Sequence, residues 1–260
     1  MSRRRFYDRV REATVAIVME SGSPQRSFTI VGSGFSIHSA GIIVTSERVF
    51  RVFFDERAYQ EIMKELPEVM TPRLIARQYI ERQPQVMFWG VQGTQMSVPI
   101  VGITEAVTKL GAEITLFKLP KHERFPNGYP TIEIVDHSEL QEREEIATCG
   151  FPLCDSLFDD GGNVTSSFTT GTIRSIIRFA GVSASNVKGY ELDLTATNGN
   201  GGPVFSLKSG KVFGVLQGGV IHSDSSSVLQ SIARAEAIHP ALEDGVVQRL
   251  IDGTHRPPGL

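Results

Sequence analysis

The stretch TNGNGGPVF, residues 197–205, places the polar side chain of Asn200 in a loop of small residues before an apolar strand end. A hydroxyl or thiol in such a loop would serve as a nucleophile. The carboxamide of Asn200 is a poor nucleophile, because the lone pair of its nitrogen is delocalised. At this position the side chain therefore supplies no effective nucleophile.

Cysteine, serine and histidine side chains elsewhere give no clear substitute for that nucleophile. Cys149 and Cys154 stand in CGFPLC, and their spacing differs from the Cys-x-x-Cys of redox and zinc sites. Two free thiols are favoured, with a single disulfide as the alternative. Ser206 is expected in the strand after the loop, and His38 at a strand end. No residues have a recognisable metal-ligand spacing, so the sequence predicts neither a metal nor a cofactor.

The elements that must position these side chains are short strands. Apolar or alternating runs recur along the chain with Gly, Asn, Asp or Pro between them, and Phe, Val, Ile and Thr dominate them. About a dozen such strands indicate an all-β barrel or sandwich. The runs are 13–19, 32–37, 41–45, 85–90, 97–104, 112–119, 131–135, 145–151, 166–177, 189–194, 202–207 and 211–220.

Two segments have helical rather than strand spacing. Residues 56–83 carry apolar residues at helical intervals and predict a helical insertion. This insertion either covers the outside of the fold or docks a partner. Val246 and Leu250 belong to a predicted C-terminal helix, and residues 251–260 are expected to form a flexible tail.

Three stretches, in this order, resemble trypsin-like serine proteases, and the HtrA/Deg branch in particular. GSGFSIHSAGIIVTSERVF (32–50) is similar to the family stretch with the catalytic histidine, and Arg48 stands at its place. GAEITLFKL (111–119) is similar to the stretch with the aspartate, and Glu113 stands there. TNGNGGPVF resembles the serine stretch, with Asn200 at the serine position.

The resemblance implies a fold and a division into domains. The expected fold is all-β, with two packed six-stranded antiparallel β-barrels, the helical insertion and the C-terminal helix. Residues 8–120 would form the N-terminal barrel with its insertion, and residues 121–250 the second barrel with the terminal helix.

The resemblance also implies that the catalytic triad is replaced at all three positions. In the family mechanism a serine attacks, a histidine takes its proton and an aspartate orients the histidine. Arg48 stays protonated near neutral pH and cannot act as the base. Glu113 has no histidine to orient, and Asn200 has no hydroxyl. We therefore expect no proteolysis. An Arg48–Glu113 ion pair is predicted in place of the catalytic hydrogen bond, and the alternative is that Arg48 points to solvent.

Peptide binding does not require the triad, because the family holds a peptide as an added strand through backbone groups. The oxyanion-hole donors would correspond to the backbone N–H groups of Asn198 and Asn200, and asparagine in place of glycine at 198 suggests a collapsed hole. The peptide-binding segment would correspond to Gly214, Val215, Leu216, Gln217, Gly218 and Gly219.

Composition and charge exclude some classes of partner. The net charge of −3 and the pI of about 6.1 argue against a general binder of nucleic acids or anionic membranes. No stretch reaches the ~18 apolar residues of a membrane span. No secretory signal follows the basic start. That absence and the low cysteine count favour an intracellular location, and the compartment is otherwise unknown.

The expected function is binding or regulation. The protein would capture a peptide or protein partner, or join active relatives as an inactive subunit. Phe6 and Tyr7 hint at a trimer, because the family often trimerises through N-terminal aromatic residues; the alternative is that they pack into their own fold. Two other functions remain open: an unconventional serine-protease-like hydrolase with rewired catalysis, and a purely structural oligomer subunit.

Overall fold

The structure is a computed structural model, and it describes twelve ranges of the chain. The predicted insertion, residues 56–83, lies outside the described residues except at its last position, and Asn198 and Cys154 also lie outside them. The described ranges are 3–21, 27–53, 83–89, 95–99, 102–106, 113–135, 139–151, 166–179, 187–194, 200–222, 230–242 and 245–254.

The N-terminal half forms a seven-stranded antiparallel sheet with the order β5-β4-β1-β2-β3-β7-β6. Strand β3, which lies inside the sheet between β2 and β7, is buried at every residue, as its continuous apolar run predicts. The strands are β1 (Thr14–Ser21), β2 (Ser27–His38), β3 (Ile42–Ser46), β4 (Gln83–Trp89), β5 (Gln95–Pro99), β6 (Gly102–Ala106) and β7 (Ile114–Lys118).

The C-terminal half forms a closed six-stranded antiparallel barrel with the order β10-β13-β12-β11-β8-β9. The predicted all-β fold and its six-stranded C-terminal barrel are confirmed. The N-terminal half, predicted as a six-stranded barrel, has seven strands among the described residues, because the predicted run 97–104 is divided between β5 and β6. The predicted strand at 131–135 is reduced to one isolated bridge, from Ile134 to Val212. The barrel strands are β8 (Glu145–Gly150), β9 (Ser167–Arg178), β10 (Val187–Asp193), β11 (Pro203–Ser206), β12 (Val212–His222) and β13 (Gln230–Ala237).

Strand β13 was not predicted, although it closes the barrel between β10 and β12. Its period-2 pattern is built from alanines, which favour strands weakly. Ala233, Ala235 and Ala237 are buried in the same cluster as the large rings of Tyr190 and Phe213. Small residues on one wall thus leave room for aromatic residues from the others, and tertiary packing overrides the weak strand propensity.

Four helices accompany the sheets in the described part of the chain, and none is long and apolar enough to cross a membrane. The C-terminal helix is confirmed, but it continues to Asp252, so the predicted tail does not begin at residue 251. The carbonyl of Ile251 accepts a 2.5 Å hydrogen bond from Lys118 Nζ. The helices are α1 (Arg3–Ala13), α2 (Glu47–Arg51), α3 (His239–Leu242) and α4 (Val246–Asp252).

The N-terminal helix α1, which was not predicted, packs its aromatic residues against the barrel of its own chain. The Phe6 ring meets Phe205 at a centroid distance of 5.2 Å, and Tyr7 meets Phe168 at 4.9 Å. A Cβ on Gly210 would lie 2.5 Å from the Phe6 ring, so glycine makes room for it. These contacts support the intramolecular alternative for both rings, and a trimer stays a prediction.

One hydrophobic cluster joins the two sheets. It contains Phe35 and Val44 from the N-terminal sheet, Phe205 and Val215 from the barrel, and Val10 from α1. Because these side chains are all but inaccessible to solvent, the two halves are packed together at a shared core. The residues that the resemblance assigns to the triad lie at the rim of this junction.

Candidate functional site

The turn that begins at Asn200 is held by backbone contacts to both sheets. Gly201 N donates to Leu216 O at 2.7 Å, and Leu216 N donates to Gly202 O at 2.9 Å. Gly201 has φ +84°, and a Cβ there would lie 2.2 Å from Ser33 O. Only glycine fits both this left-handed conformation and this close approach. The turn therefore has a backbone geometry that depends on its glycines.

Asn200 ties the turn to the N-terminal sheet through its backbone. Its carbonyl accepts a 2.7 Å hydrogen bond from Ser33 N on β2. Ser33 O in turn accepts from Thr45 Oγ1 at 2.7 Å, and Ser33 Oγ accepts from Phe151 N at 2.8 Å. The Asn200 side chain lies beside Gly218, where a Cβ would stand 2.8 Å from its Oδ1.

Helix α2 holds Arg48 at the surface. Ser46 caps the helix, and its side chain accepts a 3.3 Å hydrogen bond from Val49 N. Val49 and Phe50 are buried, and Phe50 stacks on Phe117 with centroids 5.5 Å apart. Arg48, on the opposite side of this short helix, is exposed.

Glu113 is bound through its backbone rather than its carboxylate. Its carbonyl accepts hydrogen bonds from Glu47 N at 3.0 Å and from Gln217 Nε2 at 2.8 Å. None of the ion pairs between described residues includes Glu113, so the predicted Arg48–Glu113 ion pair is not observed. Both side chains are exposed, and an exposed pair gains little because water solvates each charge.

A cavity of about 270 Å³ lies between the two sheets and brings these residues together. Arg48 and Glu113 line it from the N-terminal sheet, and Gln217 and Gly218 of β12 line it from the barrel. Strands β10 and β13 add three further charged residues that were not predicted: Lys188, Arg234 and Glu236. The cavity is large enough for a single side chain and smaller than the pocket of a drug-sized ligand.

Glu236 and Tyr190 are the lining residues with the most perturbed environments. Burial and the nearby Glu113 raise the pKa of Glu236 to about 6, against the opposing effect of Lys188 and Arg234. Burial also raises the pKa of Tyr190, which is 0% exposed. Among the residues that the structure describes, Glu236 Oε2 and the Tyr190 hydroxyl are both buried without a hydrogen-bond partner. The Ala-Arg-Ala-Glu-Ala alternation of β13 was the sequence signal that could have revealed Glu236.

The predicted peptide-binding segment divides into two parts. Gly214 and Val215 pair with β11 on one side and β13 on the other, and the backbone of Leu216 is bonded to the turn at Gly201 and Gly202. These residues have no backbone group left for an added strand. Residues 217–219 lie beyond them, and the structure describes no strand along the second edge of β12 there. In the described part of the chain this edge is unpaired from residue 217 onward, and an added strand would fit there.

The other side chains considered as substitutes for the nucleophile are buried or take part in local hydrogen bonds. Cys149 is a buried free thiol, and burial raises its pKa to about 11, which makes it a poor nucleophile near neutral pH. Ser206 ends β11, as expected, and donates its hydroxyl proton to the Glu144 carboxylate. His38 lies at the end of β2, and its Nδ1 accepts from Ala40 N at 3.1 Å within a turn. No metal-binding cluster occurs among the described residues.

Comparisons with known proteins agree with this architecture. The family model for the trypsin-like peptidase domain matches residues 32–215. The crystal structure of Deg5 aligns over 96% of this chain and 94% of its own, with a TM-score of 0.57 and 17% identity. The HtrA-type protease AlgW with a decapeptide aligns over 97% of this chain and 68% of its own, with a TM-score of 0.58 and 16% identity. At such identities these structures show the fold alone. No curated protein sequence matches the chain.

Proposed function

The chain belongs to the trypsin-like peptidase domain family, and we propose that it binds a peptide in the cleft between its two sheets without cleaving it. The family match, residues 32–215, covers all three stretches on which the resemblance is based. The observation that carries the proposal is the edge of β12 at residues 217–219, which borders a cavity between the sheets.

The absence of cleavage follows from the chemistry of three side chains. Arg48 is a permanent cation and cannot accept the proton of an attacking group. Asn200 offers a carboxamide whose nitrogen is a poor nucleophile, and Glu113 has no imidazole to orient. A serine at one of these positions would still lack a base. The proposed inactivity therefore does not depend on any single substitution.

Peptide binding is supported by the backbone geometry of β12. Strand addition uses main-chain N–H and C=O groups and needs no catalytic residue. Gly218 has φ +90° and lies at a register shift between Leu216 and Gly218, which interrupts the regular pairing with β13. AlgW, which shares the fold, was solved with a decapeptide. A peptide ligand for this protein is our extension of that likeness.

Activity is tested with a fluorophosphonate probe and a casein digest. We expect no labelling and no digestion, with an active serine protease as the positive control. Labelling or digestion that an Asn200→Ala change abolishes would overturn the proposal in favour of an unconventional hydrolase.

Binding is tested with a fluorescein-labelled octapeptide library, read by fluorescence anisotropy. Gly218→Ala adds a Cβ 2.8 Å from Asn200 Oδ1 at a positive φ, so we expect it to weaken binding by about tenfold, the equivalent of ~1.4 kcal/mol. Gly253→Ala is the matched control, because Gly253 has φ +67° with no atom within 4 Å of the added Cβ. Failure of the unmodified protein to bind any peptide would favour a structural subunit instead.

A further inference from the structure

The chain contains three Asn-Gly pairs, at residues 127–128, 198–199 and 200–201. In such a pair the glycine backbone nitrogen can attack the asparagine side chain, because glycine has no Cβ to obstruct the approach. The first and the last pair lie among the described residues, whereas Asn198 lies outside them. Asn127 is exposed, and Asn200 is half-buried in the turn. The two described pairs therefore place one chemistry in two environments.

Deamidation at Asn200 would need only water. The Gly201 nitrogen forms a bond to Asn200 Cγ, the Cγ–Nδ2 bond breaks, and Nδ2 leaves as ammonia with the proton of the Gly201 N–H group. Water then opens the resulting succinimide ring. Cleavage between Gly201 N and Cγ gives aspartate, and cleavage between Gly201 N and the main-chain carbonyl carbon gives isoaspartate. The net reaction consumes a water molecule and releases ammonia, and nothing is oxidised or reduced.

The closed turn opposes the first step, because it holds both edges of the peptide group between Asn200 and Gly201. Asn200 O accepts from Ser33 N at 2.7 Å, and Gly201 N donates to Leu216 O at 2.7 Å. Ser33 belongs to the N-terminal sheet and Leu216 to the barrel, so the group is held from both halves. The nitrogen becomes a nucleophile only when its proton leaves, so the bond to Leu216 O must break before the ring forms.

The space around the turn adds to this protection. A Cβ on Gly201 would lie 2.2 Å from Ser33 O and 2.3 Å from Thr45 Oγ1, so no further atom fits beside its Cα. Isoaspartate lengthens the main chain by one atom, because the chain then runs through the Cβ and Cγ of the former asparagine. Close-packed interiors do not accommodate such an insertion without displacement. The turn in its present form therefore excludes isoaspartate.

We propose that Asn200 is a latent deamidation site, which the closed turn protects, and that its conversion to isoaspartate after the turn opens prevents the turn from closing again. The modification then records an opening of the turn irreversibly. This inference depends on the turn alone and not on peptide binding. Asn127 is the internal reference: Gly128 N donates to Phe125 O at 3.0 Å, but no hydrogen bond between described residues holds Asn127 O.

The first experiment incubates the full chain at mildly alkaline pH, in buffer and in guanidinium chloride, and measures deamidation at each asparagine by tandem mass spectrometry. In buffer, we expect Asn200 to react at least about tenfold more slowly than Asn127, because it reacts only from the opened turn. In guanidinium chloride the two rates should converge, since both pairs are then unfolded. Equal rates in buffer, or a difference that persists in guanidinium chloride, would overturn the proposal.

The second experiment loosens the turn without changing the Asn-Gly pair. Thr45→Val keeps the side-chain shape and removes the 2.7 Å hydrogen bond from Thr45 Oγ1 to Ser33 O. We expect deamidation at Asn200 to become about tenfold faster, as the loss of a buried hydrogen bond predicts, with the rate at Asn127 unchanged. Thr115→Val is the matched control, because Thr115 is buried opposite Thr45 and its Oγ1 has no partner among the described residues. Equal acceleration in both variants, or none in Thr45→Val, contradicts the assignment.

The third experiment tests whether the modified turn can close. In a chain with Asn127→Gln and Asn198→Gln, Asn200 belongs to the one remaining Asn-Gly pair. This chain is converted in guanidinium chloride and returned to buffer, and its isoaspartate form is purified by ion exchange. Asn200→Asp, made in the same background, supplies the negative charge without the longer backbone. We expect the isoaspartate form to have the lower urea midpoint of the two. Equal midpoints would show that the turn accommodates the longer backbone and would overturn the block on closure.

Discussion

The turn at residues 200–202 and the neighbouring cavity differ in how completely their polar groups are paired. In the turn, Asn200 O, Gly201 N and Gly202 O are each bonded within 2.9 Å. Near the cavity, Glu236 and Tyr190 each leave a buried polar atom without a partner among the described residues. The comparison teaches that contacts within the fold satisfy the backbone groups of the turn completely, whereas packing leaves these two side-chain atoms unsatisfied.

The largest expected effect is a loss of stability when Gly201 of the turn is replaced. Gly201→Ala puts a Cβ within 2.2 Å of Ser33 O and 2.3 Å of Thr45 Oγ1 at φ +84°. We expect the free energy of unfolding to fall by roughly 3 kcal/mol or more, from strain and overpacking together. Urea denaturation measures it.

The control for this change is Gly253→Ala, where φ is +67° and the added Cβ meets nothing within 4 Å. Strain alone should cost about 1 kcal/mol there. Equal losses at both glycines would mean that close packing of the turn contributes nothing beyond the backbone conformation.

A smaller effect, an increase in the free energy of unfolding, is expected when Glu236 in the cavity is replaced. The pKa of Glu236 rises from its ordinary 4.5 to about 6 on folding, so the folded state holds the proton more tightly than the unfolded state does. Stability is then lost as pH rises from 4.5 through 6. Glu236→Gln should therefore stabilise the ligand-free protein above pH 7 by about 1 kcal/mol, allowing for solvent screening of a partly exposed group.

Urea denaturation at pH 4 and at pH 7.5 checks this expectation, and the gain should vanish at the lower pH. Glu139→Gln, at an exposed position, controls for the removal of one negative charge. A pH-independent gain in Glu236→Gln would show that shape rather than charge is responsible.

The smallest expected effect concerns catalysis. Asn200→Ser restores a hydroxyl to the turn, but Arg48 still cannot take its proton. We expect fluorophosphonate labelling to stay at the background of the unmodified protein. Labelling of this variant would show that another group near the turn acts as a base, and would contradict the proposed inactivity.

The sequence alone was enough to predict the strands that are rich in strongly β-forming residues. It was also enough to recognise the three stretches around Arg48, Glu113 and Asn200 in their order. It was insufficient for β13, whose alanines become a strand because they face the rings of Tyr190 and Phe213 inside the barrel. The predicted Arg48–Glu113 ion pair is not observed. Both side chains line one cavity, but they are exposed, and their position in the sequence did not specify a contact between them. The helix α1 was missed because its stability comes from packing Phe6 and Tyr7 on the barrel.

By itself, the sequence determined the family, the mostly-β fold and the side-chain chemistry of Arg48, Glu113 and Asn200, because these depend on local patterns and residue identity. The tertiary structure alone decided which backbone groups remain available, since pairing uses those of Gly214 to Leu216 and leaves residues 217–219 at an edge. It also decided the burial of Glu236 Oε2 and of the Tyr190 hydroxyl. Burial and long-range contacts are properties of the assembled chain, and no local pattern specifies the partner that a buried polar atom lacks.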